Sequence, residues 1–137
     1  MDRRAVFTLG VAVAAALPAG AWPVEAQPAS GAPSTAVKLI AIYDRPDDPV
    51  SFFKHYETVH APLVKRTPGL QTFVLNRITA NALGGEAPFV LIAEMTYPDR
   101  AAFEAAMKSP ENQAVGNDLM GFAKGKVTVV VAEVAEA

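Results

Sequence analysis

The chain has 137 residues, with 12 Lys or Arg, 14 Asp or Glu, a formal net charge of −2 and no cysteine. Without cysteine it forms no disulfide, no thiolate metal site and no cysteine nucleophile. Because the charge is nearly balanced and no basic cluster is interleaved with aromatic residues, a nucleic-acid-binding surface is excluded and small neutral partners fit better.

The amino terminus has the pattern of an export signal. Arg3-Arg4 precedes an apolar run that is rich in Ala and Val over 9–17, and Val24-Glu25-Ala26 resembles a cleavage site. The pattern resembles a twin-arginine signal, and its apolar run is shorter than the ~20 residues of a membrane-spanning helix. We therefore expect residues 1–26 to be a signal peptide, and the protein to be periplasmic or secreted with no stable membrane span after cleavage. The alternative is an uncleaved anchor.

The rest of the chain predicts a spacer followed by one domain. Residues 27–36 are small, polar or proline, which is typical of a flexible linker. Residues 37–135 are then the folded domain, and a domain of about 100 residues can build a single hydrophobic core.

The order of the predicted elements indicates the fold class. Short β-branched or alternating runs predict strands, and Asp48-Pro49 and Asp99 are typical helix starts. The predicted elements are a strand over 37–43, a helix from about 48 to before Pro68, strands over 70–79 and 89–97, helical segments from Asp99 and over 110–123, and a strand over 126–134. We expect the last helix to turn Val115, Leu119, Met120 and Phe122 inward. The order β-α-β-β-α-β predicts an α+β, ferredoxin-like antiparallel sheet with its helices on one face.

Both faces of the predicted strands are apolar. Ile40 and Ile42 alternate with Leu39 and Ala41 in the first strand, and the other strands show the same pattern. Helices can cover only one face, and soluble monomers rarely expose a large apolar patch. A second copy of the sheet is the simplest cover, so the sequence predicts a homodimer of the dimeric α+β-barrel type.

The first helix carries a histidine on its apolar face. At roughly 100° per residue, His60 lies inside the arc of apolar side chains. That arc comprises Phe52, Phe53, Tyr56, Val59, Leu63 and Val64. Pro62 removes one backbone donor, so we expect the helix to kink or loosen near Val59, beside His60. A buried histidine with one hydrogen bond is the alternative to a functional one.

A metal site formed by the two histidines is not expected. His55 and His60 are five residues apart, roughly 140° around an α-helix, so they would not meet at one ion. We expect His55 to be solvated.

Several motifs together are similar to the EthD family. They are Tyr56, His60, Pro62, Leu63 and Pro68-Gly69, then Pro88-Phe89 with Glu94, then Ser109-Pro110-Glu111, and Asp118 with Phe122. The resemblance covers about 37–133 and implies a dimeric α+β barrel. The family takes its name from a component of an ether-degrading oxidation system, is often labelled reductase or oxidoreductase, and has relatives that act on aromatic polyketides and lactones. The predicted leader departs from its mostly cytoplasmic pattern.

The resemblance implies a ligand pocket between the first helix and the sheet. His60 is then the candidate proton-transfer base, Tyr56 the proton donor and Asp118 a group that orients the imidazole. Tyr56 could also be a core aromatic residue, and Asp118 a cap or a solvated carboxylate. We expect Phe53, Leu63, Glu94 and Phe122 to contact the substrate. Glu94 must be paired if it is buried, and Arg77 and Lys38 are its candidate partners.

No cofactor is expected, because the chain has neither a G-x-G-x-x-G motif nor a P-loop. Haem is the alternative, since some relatives of this barrel hold iron through one helical histidine. Two functions remain open. One is a cofactor-independent oxidoreductase or isomerase that acts on a small apolar or aromatic compound in an exported catabolic pathway. The other is a non-catalytic small-molecule-binding accessory protein.

Overall fold

A four-stranded antiparallel sheet with the strand order β2-β3-β1-β4 organises the fold. The computed structural model describes residues 35–137, so the predicted signal peptide and nearly all of the linker lie outside the described residues. The elements are β1 Val37–Asp44, α1 over 49–64, β2 Thr72–Arg77, β3 Phe89–Tyr97, α2 Arg100–Met107, α3 Pro110–Phe122 and β4 Val127–Glu133. The predicted α+β, ferredoxin-like order is thus confirmed.

The helices begin at the predicted caps. The Asp48 carboxylate accepts hydrogen bonds from the backbone N–H of Ser51 at 3.1 Å and from its hydroxyl at 2.7 Å, and Pro49 occupies the first turn of α1. Asp99 caps α2 in the same way through the N–H of Ala102. Strands β2 and β4 are shorter than the predicted ranges, although the backbone N–H groups of Ile78 and Val134 still donate to the carbonyls of Val90 and Ala36.

The core lies between the helices and one face of the sheet. Tyr43 of β1 packs edge-on against Phe52 and Tyr56 of α1, with ring centroids 5.4 and 5.5 Å away, and Tyr97 of β3 packs in the same way against Phe103 of α2. Such aromatic pairs add to the stabilisation from burial itself. The aromatic side of α1 is therefore fixed against the centre of the sheet.

Two side chains that were expected on the inner faces of their helices are exposed, so those two predictions are wrong. Met120 is 53 % exposed and Val59 is 41 % exposed. Val59 turns outward because α1 changes its helical period at that point, as described below. Met120 follows Leu119 on α3, and Leu119 rather than Met120 packs against the core.

The other face of the sheet has no helix over it. Three half-buried isoleucines lie on this open face. Ile42 of β1 pairs with Ile92 of β3, and Ile40 lies on the same side of β1, two residues before Ile42. Val129 and Val130 of the edge strand β4 project to opposite faces and are 43 % and 41 % exposed. Within residues 35–137 no helix has the length and apolar character needed to cross a bilayer.

Candidate functional site

A π-helical turn over Tyr56–His60 interrupts α1 between the α-helical segments Pro49–His55 and Ala61–Val64. The N–H of Ala61 bonds to the carbonyl of Tyr56, five residues back. Pro62 has no N–H to offer the preceding turn, which favours this looser bonding. The expected disturbance beside His60 is therefore present, as a widened turn.

The widened turn brings His55 and His60 to the same carboxylate. Nε2 of His55 lies 2.8 Å from Oδ1 of Asp118, and Nδ1 of His60 lies 2.9 Å from Oδ2. Because a π turn returns to the same side after five residues, the expected separation of roughly 140° is wrong. Asp118 thus fixes the orientation of both imidazoles from α3, and His55 is a bonded residue rather than simply a solvated one.

His60 occupies the buried end of this cluster. It is 2 % exposed, whereas the side chains of Asp118 and His55 are 16 % and 35 % exposed. Burial lowers the pKa of His60 below 6.5, and this effect outweighs the raising effect of the Asp118 carboxylate. The imidazole of His60 is therefore neutral at neutral pH.

Two buried tyrosines lie beside the histidines. The ring of Tyr56 is 5.1 Å from the ring of His60. Burial raises the pKa of Tyr56, and burial together with the charge of Asp118 raises the pKa of Tyr43 to about 12. Both phenols therefore keep their protons near neutral pH, so neither is a phenolate base there and each can donate a hydrogen bond.

A cavity of about 530 Å³ opens next to the cluster, between the start of α1 and the end of α3. His55, Phe52 and Phe122 line it, while His60 and Tyr56 do not. The ring of Phe122 packs against both imidazoles, 4.6 Å from His55 and 4.9 Å from His60. Phe122 is therefore the contact between the cavity and the buried histidine.

His55 is the member of the site that sequence reasoning missed. A helical wheel with a constant step separates it from His60, and only the position of Pro62 signals that the step changes. A test for two histidines five residues apart just before a proline would have found the pair.

The other predicted substrate contacts are dispersed. Phe53 lies under the guanidinium of Arg77, 4.1 Å from its ring centroid, in a separate groove, and Leu63 lines a third depression with Arg66. Glu94 is on the open face of the sheet, where Lys38 and Asn76 bond to its carboxylate, each at 2.8 Å. Hydrogen bonds from Lys38 and then Asn76 lower the pKa of Glu94. Of the two candidate partners, Lys38 therefore pairs with Glu94.

Arg77 pairs with Glu57 instead. Across residues 35–137, no group of three or more His, Asp or Glu side chains has an arrangement that could hold a metal ion.

Acid is expected to destabilise the protein through His60. Its folded pKa lies below 6.5, so at low pH the unfolded chain binds a proton that the folded chain resists. This stabilising contribution is fully present above pH ~6.5 and is lost as the pH falls through that value toward the lower folded pKa. The free energy of unfolding is measured with urea at a fixed protein concentration. Between pH 7 and pH 5 it should fall more steeply for the wild type than for His60→Gln, because only the wild type has the histidine with the lowered folded pKa. Equal slopes would show that His60 titrates alike in both states.

Comparisons with known proteins agree with this fold. The profile of the EthD domain matches residues 46–126. An uncharacterised 11.0 kDa protein from the thcB-thcC intergenic region of Rhodococcus erythropolis is 31 % identical over 94 residues, which are 68 % of this chain and 89 % of that protein. The crystal structure of an EthD family protein from Bacillus halodurans is 39 % identical, covers 73 % of this chain and 99 % of its own, and superposes with a TM-score of 0.70.

More distant structures share the fold alone. A cofactor-independent oxygenase, SnoaB from Streptomyces nogalater, is 16 % identical with a TM-score of 0.56, and covers 74 % of this chain and 95 % of its own. A dimeric ferredoxin-like protein from Thermobifida fusca is 14 % identical with a TM-score of 0.57, and covers 74 % of this chain and 92 % of its own. The match of the domain profile to more than half of the sequence, together with the two closer relatives, shows that this chain belongs to the EthD family.

Proposed function

We propose that this protein is an enzyme that transfers a proton on a small apolar or aromatic compound, with His60 as the base. One observation carries the proposal: a single carboxylate, Asp118, holds one buried and one cavity-facing imidazole at 2.9 and 2.8 Å. Holding a neutral imidazole with a carboxylate is the arrangement that general-base catalysis needs. The one bond that His60 makes would satisfy a merely structural histidine, so the second imidazole on the same carboxylate, His55, is what favours a catalytic site.

The hydrogen bonds define which nitrogen would react. An ionised Asp118 accepts from Nδ1–H of His60 and from Nε2–H of His55, so Nε2 of His60 and Nδ1 of His55 keep their lone pairs. When His60 takes a proton from the substrate, the adjacent carboxylate stabilises the imidazolium that forms. Tyr56, whose phenol stays protonated beside His60, would be the donor to an oxygen of the substrate.

The substrate would enter through the cavity. His55 and the half-buried side chain of Phe122 are on its wall, and His60 lies behind Phe122. We propose that the ring of Phe122 packs on the substrate and shifts enough to admit it to His60. Phe53, Leu63 and Glu94 do not line this cavity, so they would contact the substrate only if a second subunit brought them to it.

The reaction would need no cofactor. A cofactor-independent oxygenase, SnoaB, has the same fold, which shows that the scaffold is compatible with such chemistry. Carbon acids, lactones and phenolic rings are substrates for which a base and a phenol donor suffice. Proton transfer and decarboxylation on such rings are reaction types that fit, and oxygenation would also need O2 as the oxidant that accepts electrons from the deprotonated substrate.

The protein is proposed to act as a homodimer through the open face of the sheet. Ile40, Ile42 and Ile92 are apolar side chains on that face without a helix to cover them. A ferredoxin-like protein of similar fold is dimeric. Face-to-face packing of two sheets would bury these side chains in a closed α+β barrel.

We also propose that the protein is exported. The Arg3-Arg4 pair and the Val24-Glu25-Ala26 site carry this proposal. Sequencing the amino terminus of the protein from a periplasmic fraction of its host should give Gln27 as the first residue. A full-length chain in the cytosol would reject it.

Hydrogen exchange in D2O tests the catalytic proposal without knowledge of the natural substrate. The purified protein is incubated with a panel of aromatic ketones, lactones and phenols, and deuterium incorporation at carbon is followed by NMR. At least one class should exchange faster than it does in buffer that contains the same concentration of imidazole. If compounds bind in the cavity and none exchanges, the protein is the accessory binding protein that is the alternative.

A further inference from the structure

The cavity beside His55 has an apolar wall made of rings. Phe52 and Phe122 pack against each other with centroids 5.6 Å apart, and Pro46 adds a third apolar surface. Flat apolar surfaces of this kind favour stacking of a planar ring.

Two acidic and two basic side chains line the same cavity. The Asp48 carboxylate is bound by Ser51 at the start of α1, and the fully exposed Asp47 lies 4.0 Å from the ammonium of Lys126. Lys124 also lines the cavity, and it has no ion-pair partner among residues 35–137. Lys124 is therefore a cation at this cavity that can pair with an anionic group of a ligand.

We propose that the cavity binds a planar aromatic compound with an anionic substituent, which Lys124 pairs with at the mouth while the ring packs on Phe52 and Phe122. This rests on the proposed function and narrows its substrate class from apolar rings to aromatic carboxylates and phenolates. Lys124 follows Phe122 by two residues at the end of α3, so one short segment supplies both the ring contact and the cation. The reacting edge of the ring then faces the Asp118-bound histidines.

The test compares benzoate with benzamide, which has the same shape without the charge. Both are titrated into the full domain at constant ionic strength, and binding is followed by NMR shifts of His55 and Phe122. Benzoate is expected to bind about fivefold more tightly than benzamide, as a partly exposed charge contact allows. Lys124→Gln should abolish that preference.

Lys108→Gln is the matched control, because Lys108 is an exposed lysine at the other end of α3 and should leave the preference unchanged. Equal binding of the two probes, or an unchanged preference in Lys124→Gln, would overturn the anionic substrate class and leave the proposed function standing. If neither probe shifts His55 or Phe122, the cavity is not a binding site, and both this inference and the proposed function fail.

Discussion

Replacing His60 by Gln is expected to slow substrate proton exchange by at least ~100-fold, which is the lower range of what a general base contributes. Gln keeps much of the volume and one hydrogen bond to Asp118, but it cannot take up a proton. Because His60 does not line the cavity, ligand affinity should stay within a few-fold of the wild type. The loss should therefore be in turnover, and the D2O exchange assay measures it directly.

Stability must be measured on the same variant. The expected cost is about 1 to 2 kcal/mol, because one buried polar contact is altered. Thr67→Val is a matched control, since Thr67 is the other buried polar residue of the described chain and bonds to the carbonyl of Val64. It should lose a similar amount of stability and keep its exchange rate. Unaltered exchange in His60→Gln would remove His60 as the base, and unfolding of the variant would make its role structural.

Replacing Val130 by Asp is expected to weaken the homodimer by at least ~100-fold, because an unpaired carboxylate would be buried against the partner sheet at a cost of roughly 3 kcal/mol. Val130 is 41 % exposed in the single chain, pairs with Ile40 and projects to the open face. The folded monomer should therefore tolerate the change. Sedimentation velocity over a dilution series measures the dissociation constant, and circular dichroism checks the fold.

Val129→Asp is the control for this experiment. Val129 is the preceding residue of the same edge strand, is 43 % exposed and projects to the helix side of the sheet, beside Ala41. It should leave the dimer intact. A wild-type protein that sediments as a monomer, or two variants that behave alike, would contradict dimerisation through the open face.

The fold could be predicted from the sequence because its signals are local and repeated. Alternation in β1 and β3, and the caps Asp48, Asp99 and Ser109, fix the order of elements without knowledge of long-range contacts. Errors occurred where neighbours decide the outcome. Met120 carries an apolar side chain in a helical pattern, but the packing of Leu119 turns it outward.

The site could be predicted only in part. His60, Tyr56 and Asp118 were chosen from the helix pattern and the family resemblance, and the structure brings them together, with Asp118 bonded to His60. His55 was misplaced because the wheel assumes one step per residue along the whole helix. Of the predicted substrate contacts, Phe122 alone lines the cavity beside the histidines, because the loops and helix ends that form much of its wall have no periodic signal.

The π turn makes the site depend on the hydrogen-bonding pattern of α1 as well as on the identity of its residues. A π turn holds one residue more than an α turn at the same place in a helix. If the turn took up α-helical bonding while keeping all five residues of Tyr56–His60, the preceding segment Pro49–His55 would be rotated by roughly 100° about its axis. His55 would leave Asp118, and Phe52 would leave the core. The looser bonding of this turn is therefore itself part of the site, because it keeps Phe52, His55 and His60 on one side of the helix.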